Sequence, residues 1–208
     1  MAINYVIQAE VVDIHPDSPM ATDIFFVDTN VWYWMTYPAA TASFPGQMSD
    51  YPAFVNRSLA AGSKICSSGL SLAELSHLIE KTEREIYEKS VSLIRAKEYR
   101  HNLPGERSRV VSEVAAAWGQ VKSLSSSLAL TVDEKATDAA LDRFQTEKMD
   151  CYDLFMLETM KNHGVVQIIT DDGDFATVAG IRVFTANRNV LLAARTQGKL
   201  FTRVSNTL

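Results

Sequence analysis

Cysteine is almost absent: Cys66 and Cys151 are the two in 208 residues, far apart and without metal-type spacing. That excludes a disulfide-stapled scaffold and a thiolate zinc site, and it fits reduced, buried thiols in a cytosolic protein. Histidine is equally thin. His15, His77, His101 and His163 are scattered, so an imidazole-based metal site is not expected either. No apolar run approaches the roughly 20 residues of a membrane span, and no basic-then-apolar leader opens the chain. Positive charge is in deficit too, with 20 Lys and Arg against 25 Asp and Glu and a formal net charge of −5. A surface that coats nucleic acid everywhere is therefore excluded, although a local basic patch is not. What remains is a soluble, cytoplasmic reading: 47% hydrophobic and 22% charged, enough for one substantial core.

The most informative stretch is Ile24-Phe25-Phe26-Val27-Asp28-Thr29-Asn30. Four apolar residues, aromatic or β-branched, suit a strand buried on both faces, as in a helix-covered parallel sheet. The run ends in an acid, a hydroxyl and an amide. Ligands of open α/β sheets sit beyond the carboxyl ends of the strands, which places Asp28 where a site belongs.

Around it, strands and helices alternate. Residues 3–14 read as an extra strand, at a sheet edge or in a subunit contact, and 64–68 and 165–169 as further strands. Strands at 128–132 and 181–184 are shorter. Residues 36–49, rich in Pro, Ala, Ser, Thr and Gly, read as a mobile loop, and a helix over about 50–61 ends at Gly62. One helical stretch runs from Ser71 to about Asn102, with Leu72, Leu75, Ile79, Ile86, Leu93 and Ile94 on its apolar stripe, and a second covers about 106–126. A helix opening at Asp133 places Leu141 and Phe144 on its apolar side, and the final helix spans about 189–199. The pattern predicts one α/β domain over 1–208 with a mostly parallel sheet: an extension at 1–22, a core at 23–186, and a C-terminal helix and tail at 187–208.

Asp28, Glu74, Asp153 and the 171–174 cluster all fall near predicted strand ends or helix starts. If those strands are neighbours the acids converge, and like charges that converge require protons or a cation. Oxygen ligands without cysteine or histidine select Mg²⁺ or Mn²⁺. Each acid also has a purely structural reading. Ser71-x-x-Glu74 is a capping box, Asp150 or Asp153 caps a helix, and Asp-Asp-Gly-Asp is a turn.

The order Val27-Asp28-Thr29-Asn30, Leu70-Ser-Leu-Ala-Glu74-Leu75, Asp153-Leu-Phe-Met-Leu157 and Ile169-Thr-Asp-Asp-Gly-Asp-Phe175 resembles the PIN-domain nucleases, which include the VapC-type toxins. The resemblance implies a three-layer α/β/α fold and metal-dependent cleavage of RNA, leaving 5′-phosphate and 3′-hydroxyl ends. It assigns Asp28, Glu74, Asp153 and Asp172 as catalytic acids. Asp28, Asp153, Asp172 and Asp174 become ligands of Mg²⁺ or Mn²⁺, and Thr29, Asn30, Thr170 and Asp171 support them. A shift of one residue would exchange Asp171 with Asp172. The resemblance extends to an antitoxin partner and a homodimer, neither of which this sequence itself displays. The N-terminal strand and long middle helices depart from the small toxins.

Arg95, Lys97, Arg100, His101, Arg107 and Arg109 gather around the turn between the long helices and are candidates for RNA phosphate contacts, or for an ordinary solvated face. Trp32 and Trp34 are candidates for base stacking, for core, or for a subunit contact. Three alternatives compete with a nuclease: a catalytically degenerate PIN-like binding module, a haloacid-dehalogenase-like phosphatase, and an interaction protein built on the aromatic run at 32–34. The phosphatase requires an acid two residues after Asp28, where this chain has Asn30.

Overall fold

The computed structural model describes residues 3–42 and 44–203; residues 1–2 of the expected extension, 43 of the expected loop and 204–208 of the expected tail lie outside the described residues. Strands β1 (Glu10–Asp13), β2 (Ile24–Val27), β3 (Lys64–Ser68), β4 (Ser126–Leu128), β5 (Gln167–Ile169) and β6 (Arg182–Thr185) form one sheet. Their order is β1-β6-β5-β2-β3-β4, and every pairing is parallel. The helices are α1 (Thr29–Thr36), α2 (Pro45–Ala60), α3 (Gly69–Ser90), α4 (Ala96–Asn102), α5 (Pro104–Leu124), α6 (Glu134–Phe144), α7 (Cys151–Asn162) and α8 (Arg188–Thr196).

The apolar run of β2 explains the three layers. Side chains alternate across a strand, so Phe25 and Val27 enter one core with α1, α2, α3 and α5, while Phe26 enters the other with α6 and α7. In the first core the Phe25 ring meets Phe184 edge-on at 4.8 Å and Phe54 at 5.8 Å. Burying each such side chain contributes about 1.5–3 kcal/mol. The extra strand lies at the sheet edge beside β6, and its outer side is closed by the chain's own C-terminal segment, with Val11 N–H donating to Lys199 O at 3.0 Å and Phe201 N–H to Val11 O at 2.7 Å. An exposed strand edge invites pairing with other chains, and this one is covered.

Several expectations need correction. The 36–49 stretch is largely helical: a 3-10 turn spans Pro38–Ala42, and α2 starts at Pro45. Proline at a first helical position replaces an amide that has no helical partner anyway, so proline here starts structure rather than breaking it. The single helix expected over 71–102 is two, α3 and α4. The junction is tied down by Arg84, whose guanidinium pairs with Glu88 at 2.6 Å, and by Ile94 N–H donating to that carboxylate at 3.3 Å. Leu93 accordingly leaves the apolar stripe and is 90% exposed. On α6, Ala140 faces the core, and Leu141 and Phe144 face outward. Cys66 is buried as expected, but Cys151 is exposed at the start of α7. Among the described residues no helix is long and apolar enough to cross a membrane.

Candidate active site

From β2 the chain steps outward to β3 and β4 on one side, then crosses to β5 and β6 on the other. The carboxyl end of β2 therefore lies at the reversal of strand order, where crevices form in open α/β sheets. Asp28 sits there, 2% exposed, and its N–H donates to Ile169 O at 3.1 Å. It precedes α1 but does not cap it with its side chain. Its Oδ2 instead accepts the Thr170 hydroxyl at 2.6 Å. The Thr170 oxygen in turn accepts Asp172 N–H at 2.9 Å, and Asp172 Oδ1 accepts Asp174 N–H at 2.9 Å. A hydroxyl can donate once and still accept, so Thr170 links the acid after β2 to the loop after β5.

Glu74 and Asp153 are released from the capping roles their positions suggest. Helix α3 begins at Gly69 with Ser68 as its N-cap, and Ser68 N–H reaches Ser71 Oγ at 3.5 Å, so Glu74 lies beyond the cap. Its Oε2 is buried with no hydrogen-bond partner, as is Thr29 Oγ1. Thr29 lies near enough to favour ionisation of Glu74, although no well-formed bond joins them. At α7, Asp150 is the cap, accepting the N–H groups of Tyr152 at 2.9 Å and Asp153 at 3.1 Å. The Asp153 side chain is thus free to be buried against the other acids.

Their mutual fields are strong. Burial, then Glu74 and Asp172, push the Asp28 carboxyl up to about 7 against the opposing Thr170 bond. Burial, then Asp28, Asp150, Asp172 and Glu74, push Asp153 up to about 9. Glu74 is raised by burial with Asp150 and Asp172 adding, and Asp174 by burial with Asp172 and Asp150 adding. Asp172 recurs in all four environments. Asp171 is turned elsewhere: the Tyr51 hydroxyl donates to its Oδ1 at 2.6 Å, and Asn187 Nδ2 to its backbone carbonyl at 2.7 Å. Asn30, Asp171 and Asp172 line one end of a cleft of about 640 Å³ that continues past Trp34, Phe44, Lys81 and Lys89. Glu74 lines a second cleft of about 800 Å³, together with Arg100, Arg107, Trp118 and Tyr152.

The remaining candidates are placed differently. Arg100 and Arg107 both pair with Glu80, the latter at 3.1 Å, and Arg109 pairs with Glu83 at 2.8 Å and Glu106 at 2.7 Å. Arg95, Lys97 and His101 are exposed at or in α4. Trp32, Tyr33 and Trp34 are buried, so of the readings open for 32–34 the core is the one the structure takes, not an open stacking platform. Of the two caps the sequence offered for this helix, Asp150 is the one used, and its charge also reaches Glu74, Asp153 and Asp174. Sequence reading missed Tyr51 and Tyr5, which no local pattern marks.

Among the described residues no three His, Cys, Asp or Glu side chains are gathered tightly enough to grip an ion as placed. The donor chemistry nonetheless fits a hard divalent cation. All donors are carboxylate oxygens, Glu74 Oε2 is unpartnered, and burial raises the Asp28 and Asp153 carboxyls, a bias that a bound cation would reverse.

A parallel α/β/α domain with carboxylates gathered at its switch point is an arrangement suited to binding a hard divalent cation. The comparison with known families is narrower: the family model described as PIN domain matches residues 25–181. The chain belongs to the PIN-domain family, a nuclease superfamily that is generally metal-dependent. That membership sets aside the phosphatase reading. No curated protein matches the chain. Residues before 25, including β1, and all of α8 lie outside the match.

Proposed function

We propose that this chain is an endoribonuclease dependent on Mg²⁺ or Mn²⁺. The observation that carries the reading is a set of acids without a basic side chain paired to them, the buried Asp28 and Asp153 with the half-buried Glu74 and Asp172, each raised or raising the others. Asp28 and Asp153 would hold the ion, with Asp172, Asp174 and Glu74 completing its surroundings. A bound divalent ion acidifies water and stabilises charge on a phosphodiester. Thr170 orients Asp28 and fixes Asp172 through one hydroxyl. Burial of Asp28 and Asp153 excludes bulk water, which strengthens every charge interaction there.

Substrate would cross the acids between the two clefts. Lys81 and Lys89 in one cleft and Arg100 and Arg107 in the other supply cations for a polyanion, and Phe44 and Tyr152 supply exposed rings for unpaired bases. Arg95, Lys97 and Arg109 remain candidates for more distant phosphate contacts. An antitoxin partner, a homodimer and a cytoplasmic location form part of the proposal by resemblance to the toxin branch.

The test is cleavage of mixed single-stranded RNA in EDTA, Mg²⁺ or Mn²⁺ by the native chain and Asp28→Asn. Metal-dependent cutting lost in the variant supports the reading. Equal cutting by both proteins would sink the site, and absence of both cutting and calorimetric metal binding would leave the degenerate binding module.

A further inference from the structure

The N-terminal arm lies outside the family match, yet it reaches the acids. Gln8 and Ala9 N–H groups both donate to Ala176 O, at 3.0 and 3.1 Å. Ile7 N–H donates to Gln197 Oε1 at 2.9 Å, and Gln197 Nε2 donates to Tyr5 O at 2.9 Å. Ile7 and Ala9 are buried. These contacts clamp the arm between the turn after the acidic loop and the end of α8, and they set the Tyr5 ring on Gly173. A Cβ at Gly173 would lie 2.3 Å from Tyr5 Cζ, 2.5 Å from Oη and 2.6 Å from Cε1. Gly173 is not among the positive-φ glycines, so what demands glycine there is room for the ring rather than backbone conformation.

The acids on either side of Gly173 are Asp172 and Asp174. Asp172 neighbours Asp28, Glu74 and Asp153, and the segment carrying it is a short loop between β5 and a 3-10 turn at Phe175–Thr177. A ring pressed on the middle of that loop restricts where its two acids can go. We infer that Tyr5 is a positioning residue for the carboxylate site: packed on Gly173, it holds Asp172 and Asp174 toward Asp28 and Asp153. The inference rests on the cation-dependent reading above. The ring does the work, and the hydroxyl is dispensable.

Two measurements on Tyr5→Phe, Tyr5→Ala, Gly173→Ala and the double variant Tyr5→Ala/Gly173→Ala test it. The first is amide hydrogen exchange of the metal-free protein at Asp172 and Asp174, with Phe26 in β2 as the internal control. The second is Mn²⁺ binding by calorimetry. Partners that orient metal ligands are worth about 10–100-fold in metal affinity. Tyr5→Ala should therefore weaken Mn²⁺ binding by about tenfold and speed exchange at the two loop amides but not at Phe26, while RNA cleavage falls in kcat rather than KM. Tyr5→Phe should match the native chain. Gly173→Ala should resemble Tyr5→Ala, and adding it to Tyr5→Ala should cost nothing more, because the ring it collides with is gone. The inference is overturned if Tyr5→Ala leaves loop exchange unchanged, if it loosens Phe26 equally, if Tyr5→Phe is as damaging, or if the two substitutions add fully. A native chain that binds no Mn²⁺ defeats the cation-dependent reading instead, and the exchange data alone then decide the brace.

Discussion

The molecule buries acids in two ways. Asp17 and Asp23 share Arg203, which reaches Asp23 at 2.7 Å, and Glu83 has Arg109 at 2.8 Å and the Tyr37 hydroxyl at 2.5 Å. Glu158 likewise has Arg143. Each of these acids is paired with a guanidinium. At the carboxyl ends of β2 and β5, Asp28, Glu74, Asp153 and Asp172 have chiefly one another. A chain able to supply arginine to buried acids elsewhere supplies none to these acids among the described residues, which is the contrast on which the cation-dependent proposal rests. Removing the arginine from a buried pair is costly to the fold, whereas perturbed acids without such a partner are the candidates for chemistry.

Neutralising one member of each group separates the two cases. Asp153→Asn should lower cleavage by at least about 100-fold, as loss of a metal-holding carboxylate does, while raising the melting temperature of the metal-free protein. A variant that melts lower and still cuts would erase the distinction. Arg203→Ala should act oppositely: it leaves two buried carboxylates without their partner, and unfolding in denaturant should show a loss of about 3–5 kcal/mol. Neutral behaviour of that variant would mean that the paired acids are not held by their arginine.

Acidity gives the next contrast. The Asp28 and Asp153 carboxyls lie near 7 and 9 in the folded chain, above the roughly 3.9 of an unfolded aspartate. Between those limits the folded state holds protons that the unfolded state has released. Their contribution to stability is complete below about pH 4 and is lost as pH rises through about 7 and then 9. Melting of EDTA-treated protein should therefore fall across that window and recover with Mn²⁺; a melting point independent of pH would contradict the buried cluster. The smallest effect distinguishes neighbours. Asp172→Asn should remove most cleavage, whereas Asp171→Asn should retain it and lose about 1 kcal/mol of stability with the Tyr51 bond. The reverse ranking would exchange their assignments.

Much of this was legible because the signals are local. A buried strand running into Asp28 announces both a parallel sheet and its functional end, and the four acidic motifs carry the family in their order. Where neighbours in space decide, the reading failed. Proline at 38 and 45 resembled loop composition but starts helical turns. Leu141 and Phe144 fitted a helical stripe, but Ala140 is the residue facing the sheet. For Trp32 and Trp34 the sequence left core, stacking and subunit contact open, and packing chose the core, with Tyr51 5.3 Å from Trp34.

By itself, then, the sequence determined the strand–helix alternation, the family and the residue types of the site, since these follow from periodicity and from short motifs. Only the tertiary structure decided which carboxylates lack partners, which of Asp171 and Asp172 faces the cluster, and that Tyr5, more than 160 residues away in the chain, rests on Gly173. Compensation of charge and collision of atoms depend on distances through space, and a one-dimensional spacing does not contain them.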